Sequence, residues 1–506
     1  MSSEAITKLR EHVGTINDLN GASGVLGWDE RTKMPSGGAD VRAERLATLG
    51  RLAHEMFVSE TTANLLENAE KELDSLEFDS DDASLVRHVR RTFDRQSAIS
   101  SELLTEAIRA SSQGYATWIQ ARANSDFKAF LPALQRVVEV NRRFVEAYRA
   151  IQPDAAEDYD LLLEDYEPGL TSKEISEAFD VVRDKTIPLV QQVRENASKV
   201  DDSLVYGDFP EDRQEQLALR VIRQCGFDDA HWRLDETHHP FASSMGIADI
   251  RITTRYLPNF FNPAFFGSMH EFGHGLYERQ IDPALERTPL ASGTSMAWHE
   301  SQSRMWENLV GRSRAFWEWA IEPTREVFPE VFGNLSGEDV YRAVNKLQPS
   351  LIRVEADELT YNLHIILRFE MEREILAGSV ALKDLPEAWN QKMQEYLGVT
   401  VPNDADGVLQ DVHWSSGLFG YFPTYALGNV LSLQLWDRIN REIPDLEDTF
   451  RRGEFTPLRE WLGENVHKHG SKFLPKDLME KVLGTRKLDP EPLTSYLEAK
   501  VNDLYS

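Results

Sequence analysis

Residues 269–274 of this 506-residue chain read Met-His-Glu-Phe-Gly-His, so two histidines stand four positions apart with a glutamate beside the first. Side chains four apart lie on one face of an α-helix, where both imidazoles can bind one metal ion. Glu271 is turned about 100° from His270, within reach of a water on that metal. Asn262 is a good N-cap and Pro263 suits the first helical position. The sequence therefore predicts a metal-binding helix here, and the alternative is a helix with two surface histidines.

A zinc ion held by two histidines needs at least one further protein ligand and an open position for water. Prolines and glycine within 281–293 predict a loop, after which helical residues resume, so two antiparallel helices can face one site. On the second helix Glu300 is the predicted third ligand. Glu307, two turns further along the same face, is the alternative. His299 is predicted to point elsewhere on this helix.

The rest of the chain predicts a mainly α-helical fold. Apolar residues recur at helical spacing through 3–20, 81–125 and 127–150. Residues 27–35, which include glycine and proline, predict a loop. Residues 350–377 predict a long amphipathic helix. We find no β-rich region of any length, which indicates an α-dominated architecture.

A short stretch before the metal helix has a different pattern. Ile250, Ile252, Thr254 and Tyr256 alternate with polar residues, as is typical of a strand. Small residues at 243–246 can turn the chain. The sequence therefore predicts a small hairpin, which either pairs with an extended peptide or caps the helical core.

The chain contains no repeat, low-complexity tract or flexible linker that would mark a domain boundary. We therefore expect a single domain over 1–506. Its expected parts are an N-terminal helical part of about 1–230, a catalytic core of about 231–430 and C-terminal helices of about 431–506.

Composition excludes several classes of partner. The net charge of −29 argues against nucleic acid and anionic membranes, both of which bind basic surfaces. The single cysteine, Cys225, excludes an internal disulfide framework. Residues 1–14 lack the pattern of a secretory signal, and no run of about 18 apolar residues predicts a membrane span. A cytoplasmic location is expected.

Several motifs follow one another along nearly the whole chain. They are Trp28-Asp29, Met34-Pro35, His239-Pro240-Phe241, residues 249–253, 270–274, His299-Glu300-Ser301-Gln302, residues 352–357 and residues 420–425. With these motifs in this order, the chain resembles the carboxypeptidase Taq family of zinc metallocarboxypeptidases.

The resemblance implies a large helical peptidase with a deep substrate groove and a small β-sheet beside the metal helix, similar to neurolysin and angiotensin-converting enzyme. It implies one Zn²⁺ per chain, held by His270, His274 and Glu300, with Co²⁺ or Mn²⁺ as possible substitutes. It also implies a homodimer that releases C-terminal amino acids from peptides with broad specificity.

Peptide hydrolysis needs an activated water, a proton for the leaving amine and donors for the oxyanion. Metal-assisted chemistry assigns Glu271 as the general base and then the general acid. By resemblance, His413 and Tyr425 are the oxyanion donors. Tyr421 is an alternative that can share a helical face with Tyr425.

An enzyme that acts at a chain end must bind the free C-terminal carboxylate, and an arginine fork suits that geometry. The resemblance favours Arg353 for this role, and Arg251 on the predicted strand is the alternative. His239 is a candidate to line the substrate groove.

Two other functions remain open. An oligopeptidase or dipeptidase would use the same chemistry to cut internally or to remove pairs of residues. A non-catalytic helical protein with a structural zinc ion would belong to a different class, but a structural site has no use for a general base such as Glu271.

Overall fold

The structure, a computed structural model, describes residues 3–506 and is mainly α-helical, as the sequence predicts. The α-helices are, in chain order, α1 (Glu4–Thr32), α2 (Ala39–Phe57), α3 (Glu60–Glu70), α4 (Asp81–Ala98), α5 (Ser101–Asn124), α6 (Phe127–Ile151), α7 (Asp158–Leu163), α8 (Ser172–Glu195), α9 (Glu211–Cys225), α10 (Asn262–Arg279), α11 (Met296–Arg304), α12 (Arg314–Val327), α13 (Pro329–Phe332), α14 (Gly337–Val344), α15 (Tyr361–Ala377), α16 (Leu385–Leu397), α17 (Pro423–Glu442), α18 (Leu446–Arg451), α19 (Thr456–Asn465), α20 (Pro475–Leu483) and α21 (Glu491–Tyr505). Among these described residues, no helix is both long and apolar enough to cross a membrane.

The chain forms two compact units, each assembled from three segments. Unit 1 consists of the residues up to Gln96, Asp202–Val344 and Leu435–Arg486. Unit 2 consists of Ser97–Asp201, Asn345–Gln434 and Lys487–Ser506. The expectation of one domain with three consecutive parts stays a prediction, and residues 1–2 of its range lie outside the described chain.

Unit 1 contains a three-stranded sheet made of β1 (Trp232–Glu236), β2 (Ala242–Gly246) and β3 (Asp249–Thr254), in the order β1-β3-β2. The predicted hairpin is present as the antiparallel pair β2–β3, but residues 243–246, which were expected to turn the chain, lie in β2, and β3 ends before Tyr256. Strand β1 pairs in parallel with β3 and is not predicted by the sequence, because its five residues show little alternation. The Trp232 ring stacks on Phe272 of α10 at 5.4 Å. The sheet therefore lies beside the metal helix, as the resemblance implies.

Two glycines allow other backbone and side-chain groups to approach α10 closely. A Cβ atom at Gly273 would lie 2.5 Å from the Gln302 carbonyl oxygen and 2.7 Å from Ser303 Cα, both on α11. A Cβ atom at Gly275 would overlap the Trp232 ring of the sheet. The two glycines therefore set the spacing of α10 from α11 on one side and from the sheet on the other.

The predicted loop at 27–35 is wrong for most of its length, because α1 continues through it. Gly27 weakens a helix by only about 1 kcal/mol relative to alanine. Trp28 is buried, and the guanidinium groups of Arg233 and Arg251 lie 4.5 and 4.7 Å from its ring. Burial of a tryptophan contributes about 2–3 kcal/mol, which exceeds the cost of one helical glycine.

The metal helix begins one residue earlier than predicted. Asn262 is its first residue rather than its cap, and Pro263 is the second. Phe261 occupies the cap position with helical backbone angles, and its N–H donates to the Val205 carbonyl at 2.9 Å. Phe261 has no side-chain cap, and Pro263 in the first turn has no N–H that would need a partner.

The predicted helix at 350–377 is shorter in the structure, and Arg353 does not lie on it. Arg353 lies in a 3-10 turn, and α15 begins only after the carboxylate of Asp357. One oxygen of Asp357 accepts the N–H groups of Leu359 and Thr360 at 3.0 and 2.9 Å. These bonds stabilise a turn in front of the helix and delay its start.

The first half of α15 is buried on all sides rather than amphipathic, because α6, α7, α8 and α16 of unit 2 pack around the helix. Even its polar residues Asn362, His364, Arg368 and Glu372 are fully buried. Buried polar groups need partners, so α15 carries the hydrogen bonds that organise the neighbouring chain.

We expect Gly273→Ala to lower the free energy of unfolding by about 1–3 kcal/mol, because the added methyl group overlaps the backbone of α11. Gly267→Ala is the matched control on the same helix, since its Cβ atom would meet only the Thr254 hydroxyl at 3.4 Å. That change should raise stability by up to about 1 kcal/mol through helix propensity. Thermal unfolding of both variants checks the difference, and equal shifts would contradict the role of Gly273.

Candidate functional site

Three potential metal ligands of unit 1 converge at one point. His270 and His274 lie one turn apart on α10, and Glu300 lies on α11. One carboxylate oxygen of Glu300, Oε2, lies 3.7 Å from His270 Nε2 and 3.4 Å from His274 Nε2. All three donor atoms lie within 4.8 Å of one another. Ligand atoms of a tetrahedral zinc ion lie about 3.3 Å apart, so this donor set fits the metal that the motif predicts.

The outer nitrogen of each histidine has its own partner. His270 Nδ1 bonds to Glu307 Oε2 at 2.8 Å. His274 Nδ1 lies 2.8 Å from His299 Nδ1, and His299 Nε2 bonds to Glu278 Oε1 at 2.7 Å. These bonds direct both Nε2 atoms towards Glu300, which is the arrangement that orients imidazole ligands.

The expected orientation of His299 is wrong, because its ring contacts His274. Sequence spacing could not show this, since the contact depends on how closely α11 packs on α10. The alternative ligand Glu307 lies on a π-helical turn, Met305–Val310, that directly follows α11. There its carboxylate reaches the outer nitrogen of His270 and not the point where the three donors converge.

Arg304 holds the carboxylates in place. Its Nε donates to Glu300 Oε1 at 2.7 Å, and its Nη1 donates to Glu307 Oε2 at 3.2 Å. Burial opposes ionisation of both acids, but Arg304 and His270 outweigh it and hold the pKa of Glu300 and of Glu307 well below the usual range. Both groups therefore stay ionised and able to bind a cation.

Burial and charge set the other protonation states. Burial raises the pKa of Glu271 to about 7, an effect that the charge of His270 opposes and the acids Glu300 and Glu307 reinforce. Burial alone would lower the pKa of His270, but those two carboxylates raise it to about 9. Burial lowers the pKa of His274 to about 4. A carboxyl group that titrates near neutral pH is suited to accept and return a proton.

Unit 2 contains a second polar cluster, formed around the carboxylate of Asp411. Arg353 donates to Asp411 Oδ1 from Nε at 2.9 Å, and Arg368 donates to Oδ2 from its own Nε at 2.6 Å. Arg353 Nη1 also donates to the Tyr361 hydroxyl at 3.1 Å. The two guanidinium groups share one carboxylate and hold its pKa well below the usual range against the effect of burial. Arg368 belongs to none of the sequence motifs, so its place in this cluster is not predicted from the sequence.

The predicted oxyanion donors come together beside this cluster in unit 2. His413 lies in a 3-10 turn, and its Nε2 is 3.3 Å from the Tyr425 hydroxyl. The Tyr421 ring lies 5.6 Å from the His413 ring and 5.3 Å from the Tyr425 ring. Tyr421 precedes α17, so its predicted place on a shared helical face is wrong. Burial lowers the pKa of His413 to about 4, which keeps the ring neutral.

The two remaining candidates lie elsewhere in unit 1. Arg251 on β3 pairs with Asp249 through two bonds of 2.8 Å and stacks on Trp28. His239 is exposed between β1 and β2. Neither residue belongs to the cluster of His270, His274 and Glu300.

Comparison with known proteins identifies the family. A profile of the carboxypeptidase Taq (M32) metallopeptidases matches residues 8–501. Thermostable carboxypeptidase 1 of Thermus thermophilus is 41% identical over 483 residues, or 94% of each chain. Carboxypeptidase 1 of Bacillus subtilis is 39% identical over 490 residues, which cover 97% of this chain and 96% of the relative.

Solved structures of related carboxypeptidases have the same fold as this chain. The crystal structure of the M32 carboxypeptidase from Deinococcus radiodurans R1 superposes with a TM-score of 0.95 at 37% identity, covering 99% of this chain and 100% of the other. The carboxypeptidase of Pyrococcus furiosus gives a TM-score of 0.94 at 36% identity, with 99% of both chains covered. The chain therefore belongs to the carboxypeptidase Taq (M32) family and is a metallocarboxypeptidase.

Proposed function

We propose that the protein is a zinc-dependent carboxypeptidase that removes C-terminal amino acids from peptides with broad specificity. The observation that carries the proposal is the convergence of His270 Nε2, His274 Nε2 and Glu300 Oε2, with a buried carboxyl group, Glu271, beside the first ligand. These three ligands would hold Zn²⁺, with Co²⁺ or Mn²⁺ as substitutes. When bound, such a metal lowers the pKa of water from about 15.7 towards 7 and polarises a carbonyl group.

In this proposal Glu271 moves the proton. Its carboxylate accepts a proton from the attacking water and then donates it to the nitrogen of the leaving amine. Its burial and a pKa of about 7 support both steps, since a group that titrates near the working pH can accept and return a proton.

His413 and Tyr425 are proposed to donate hydrogen bonds to the oxyanion, with Tyr421 as the alternative to Tyr425. The neutral state of the buried His413 ring supports this role, because a neutral imidazole keeps one N–H. The contact between the ring and the Tyr425 hydroxyl supports a shared function.

Arg353 is proposed to bind the C-terminal carboxylate of the substrate, with Arg251 as the alternative and His239 as a residue that lines the groove. Two guanidinium groups share the Asp411 carboxylate, so the cluster carries more positive than negative charge and favours an anion. The bonds of Arg353 to Asp411 also favour the alternative function, an oligopeptidase or dipeptidase, because they already use part of its guanidinium group.

A homodimer in a cytoplasmic location completes the proposal. The dimer rests on the family resemblance. The location rests on the use of one cysteine, Cys225, which is buried and unbonded and suits a reducing compartment.

Incubation with an unblocked peptide, followed by mass spectrometry, tests the proposed activity. We expect a ladder of products shortened one residue at a time from the C-terminus, and we expect a chelator to abolish it. Products shortened by two residues or cut internally would instead support the alternative function. An intact peptide with metal-replete protein would contradict both.

Glu271→Gln separates the chemistry from metal binding within that experiment. We expect this variant to bind Zn²⁺ with nearly unchanged affinity while the rate of peptide hydrolysis falls by about 10²–10⁴-fold, because the proton acceptor is lost. Glu300→Gln is the comparison, and it should weaken Zn²⁺ binding itself. Metal content after dialysis and initial rates give both results.

Arg353→Ala tests recognition of the chain end. We expect kcat/KM for a free-carboxyl peptide to fall by about 10²-fold or more, since a buried charged partner is removed. Hydrolysis of the matching C-terminal amide should change much less. Arg251→Ala serves as the control and should leave the ratio of the two substrates unchanged. Equal losses for acid and amide would show that Arg353 does not bind the carboxylate.

A further inference from the structure

Residues 410–421, here called the His413 segment, contain both His413 and Tyr421. The segment has little regular structure apart from the 3-10 turn His413–Ser416. Such a segment has no helix or sheet of its own to fix its side chains, so other elements must hold it.

Helix α15 holds the beginning of the His413 segment through Arg368. The Nε atom of Arg368 donates to Asp411 Oδ2 at 2.6 Å, and its Nη2 donates to Gln410 Oε1 at 2.8 Å. Gln410 Oε1 also accepts the backbone N–H of Arg353 at 2.9 Å. These bonds fix the two residues that lead into the turn.

Glu372, one turn after Arg368 on α15, holds the rest of the segment. Its Oε1 accepts Trp414 Nε1–H at 3.0 Å, and its Oε2 accepts the N–H of Gly420 at 3.1 Å. The Tyr159 hydroxyl donates to Oε2 at 2.8 Å. Trp414 adjoins His413 and Gly420 adjoins Tyr421, so one fully buried carboxylate contacts the immediate neighbours of both residues.

Close packing fixes the segment from the other side. Gly420 has φ +89°, and a Cβ atom there would lie 2.9 Å from the backbone of Leu162 and Leu163. A Cβ atom at Gly114 of α5 would overlap the Ser415 carbonyl oxygen. The segment is therefore held between α5 and α7 on one side and the bonds that Glu372 accepts on the other.

We propose that Glu372 is a positioning residue for peptide hydrolysis, which sets the places of His413 and Tyr421 by binding Trp414 and Gly420 at once. This inference rests on the proposed function, in which His413 donates to the oxyanion. An ionised carboxylate suits the task because it only accepts, whereas three groups here donate. Burial raises the pKa of Glu372 to about 7, and the bonds from these three donors oppose that rise and favour the ionised form. In an amide of the same shape, one oxygen is replaced by an NH₂ group that faces a donor, so one end of the segment must move.

Glu372→Gln tests the proposal through a split between kcat and KM. We expect kcat to fall by about 10–100-fold, the effect of displacing an oxyanion donor by a fraction of an ångström to about 1 Å. KM should stay within about 3-fold. The inhibition constant of a phosphonate peptide, which mimics the tetrahedral oxyanion, should rise by the same factor by which kcat/KM falls.

Glu370→Gln is the control for loss of a carboxylate on the same helix. Glu370 is partly buried on another face of α15, where it accepts from Lys392 and Tyr396 at 2.7 Å each and from Arg183 at 3.2 Å. We expect it to lose stability, seen as a lower thermal midpoint, while kcat and phosphonate binding stay within about 3-fold of the original protein. If the role of Glu372 is purely structural, Glu372→Gln should behave like Glu370→Gln, with a lower thermal midpoint but unchanged kcat and phosphonate binding.

Trp414→Phe keeps an aromatic ring and removes the donor to Glu372 together with part of the ring, and it carries the test if Glu372→Gln does not fold. We expect a similar loss of kcat and of phosphonate affinity. In the double variant the two losses should not multiply fully, because Trp414 and Glu372 are the two partners of one hydrogen bond and are therefore coupled.

His413→Ala separates this inference from the proposed function. If His413→Ala lowers kcat but neither Glu372→Gln nor Trp414→Phe does, the positioning role is wrong and the role of His413 stands. If His413→Ala leaves kcat unchanged, the oxyanion role of His413 is wrong and the inference falls with it. A lower kcat in Glu372→Gln with unchanged phosphonate affinity would also overturn the proposal.

Discussion

The backbones of α10 and α11 approach so closely at Gly273 that the next smallest side chain does not fit, and the cluster of potential metal ligands depends on that approach. Spacing along α10 aligns His270 with His274, but a carboxylate from another element must come within about 3–4 Å of both. Glu300 lies only two residues before Gln302, whose carbonyl oxygen faces Gly273. Helix propensity disfavours glycine at position 273, so the close packing of the two helices, and not a local preference, explains why glycine occupies it.

Electrostatics distinguishes the two polar clusters. In the state that can bind a metal, with both histidine ligands neutral and Glu271 ionised, the cluster in unit 1 has two more carboxylates than guanidinium groups, a balance that favours a divalent cation. The carboxylates counted are those of Glu271, Glu278, Glu300 and Glu307, and the guanidinium groups are those of Arg304 and of Arg312, which lies 3.8 Å from Glu307. The cluster in unit 2 has the opposite balance, since Arg353 and Arg368 share Asp411, and it favours an anion. Buried charge is costly when unbalanced, so each imbalance indicates the kind of ligand that would relieve it.

Short-range patterns predicted most of the helices, the strand β3 and the residues that converge in unit 1, because helical spacing and strand alternation act over a few positions. Contacts between distant residues could not be predicted in this way. Nothing local shows that His299 contacts His274, or that Asp411 pairs with Arg353 and Arg368. The loop expected around Trp28 failed for the same reason, because tertiary burial outweighed a weak glycine signal. The early start expected for α15 failed for a local reason, because the Asp357 carboxylate accepts from Leu359 and Thr360 and stabilises a turn in front of the helix.

Catalytic residues can therefore be predicted from a sequence motif more readily than the residues that position them. Glu271 belongs to a motif because its distance from two ligands is fixed by one helix, whereas Glu372 acts on groups more than 40 positions away. A residue that holds another segment in place can be any buried group whose hydrogen-bonding atoms match its partners. The number of donors around that position therefore determines which residue type fits there. Three donors meet Glu372, and a carboxylate can accept from all of them. In the same way, Glu307 and His299 match the outer nitrogens of His270 and His274. Counting donors and acceptors in the folded chain thus finds functional residues that spacing along the sequence does not.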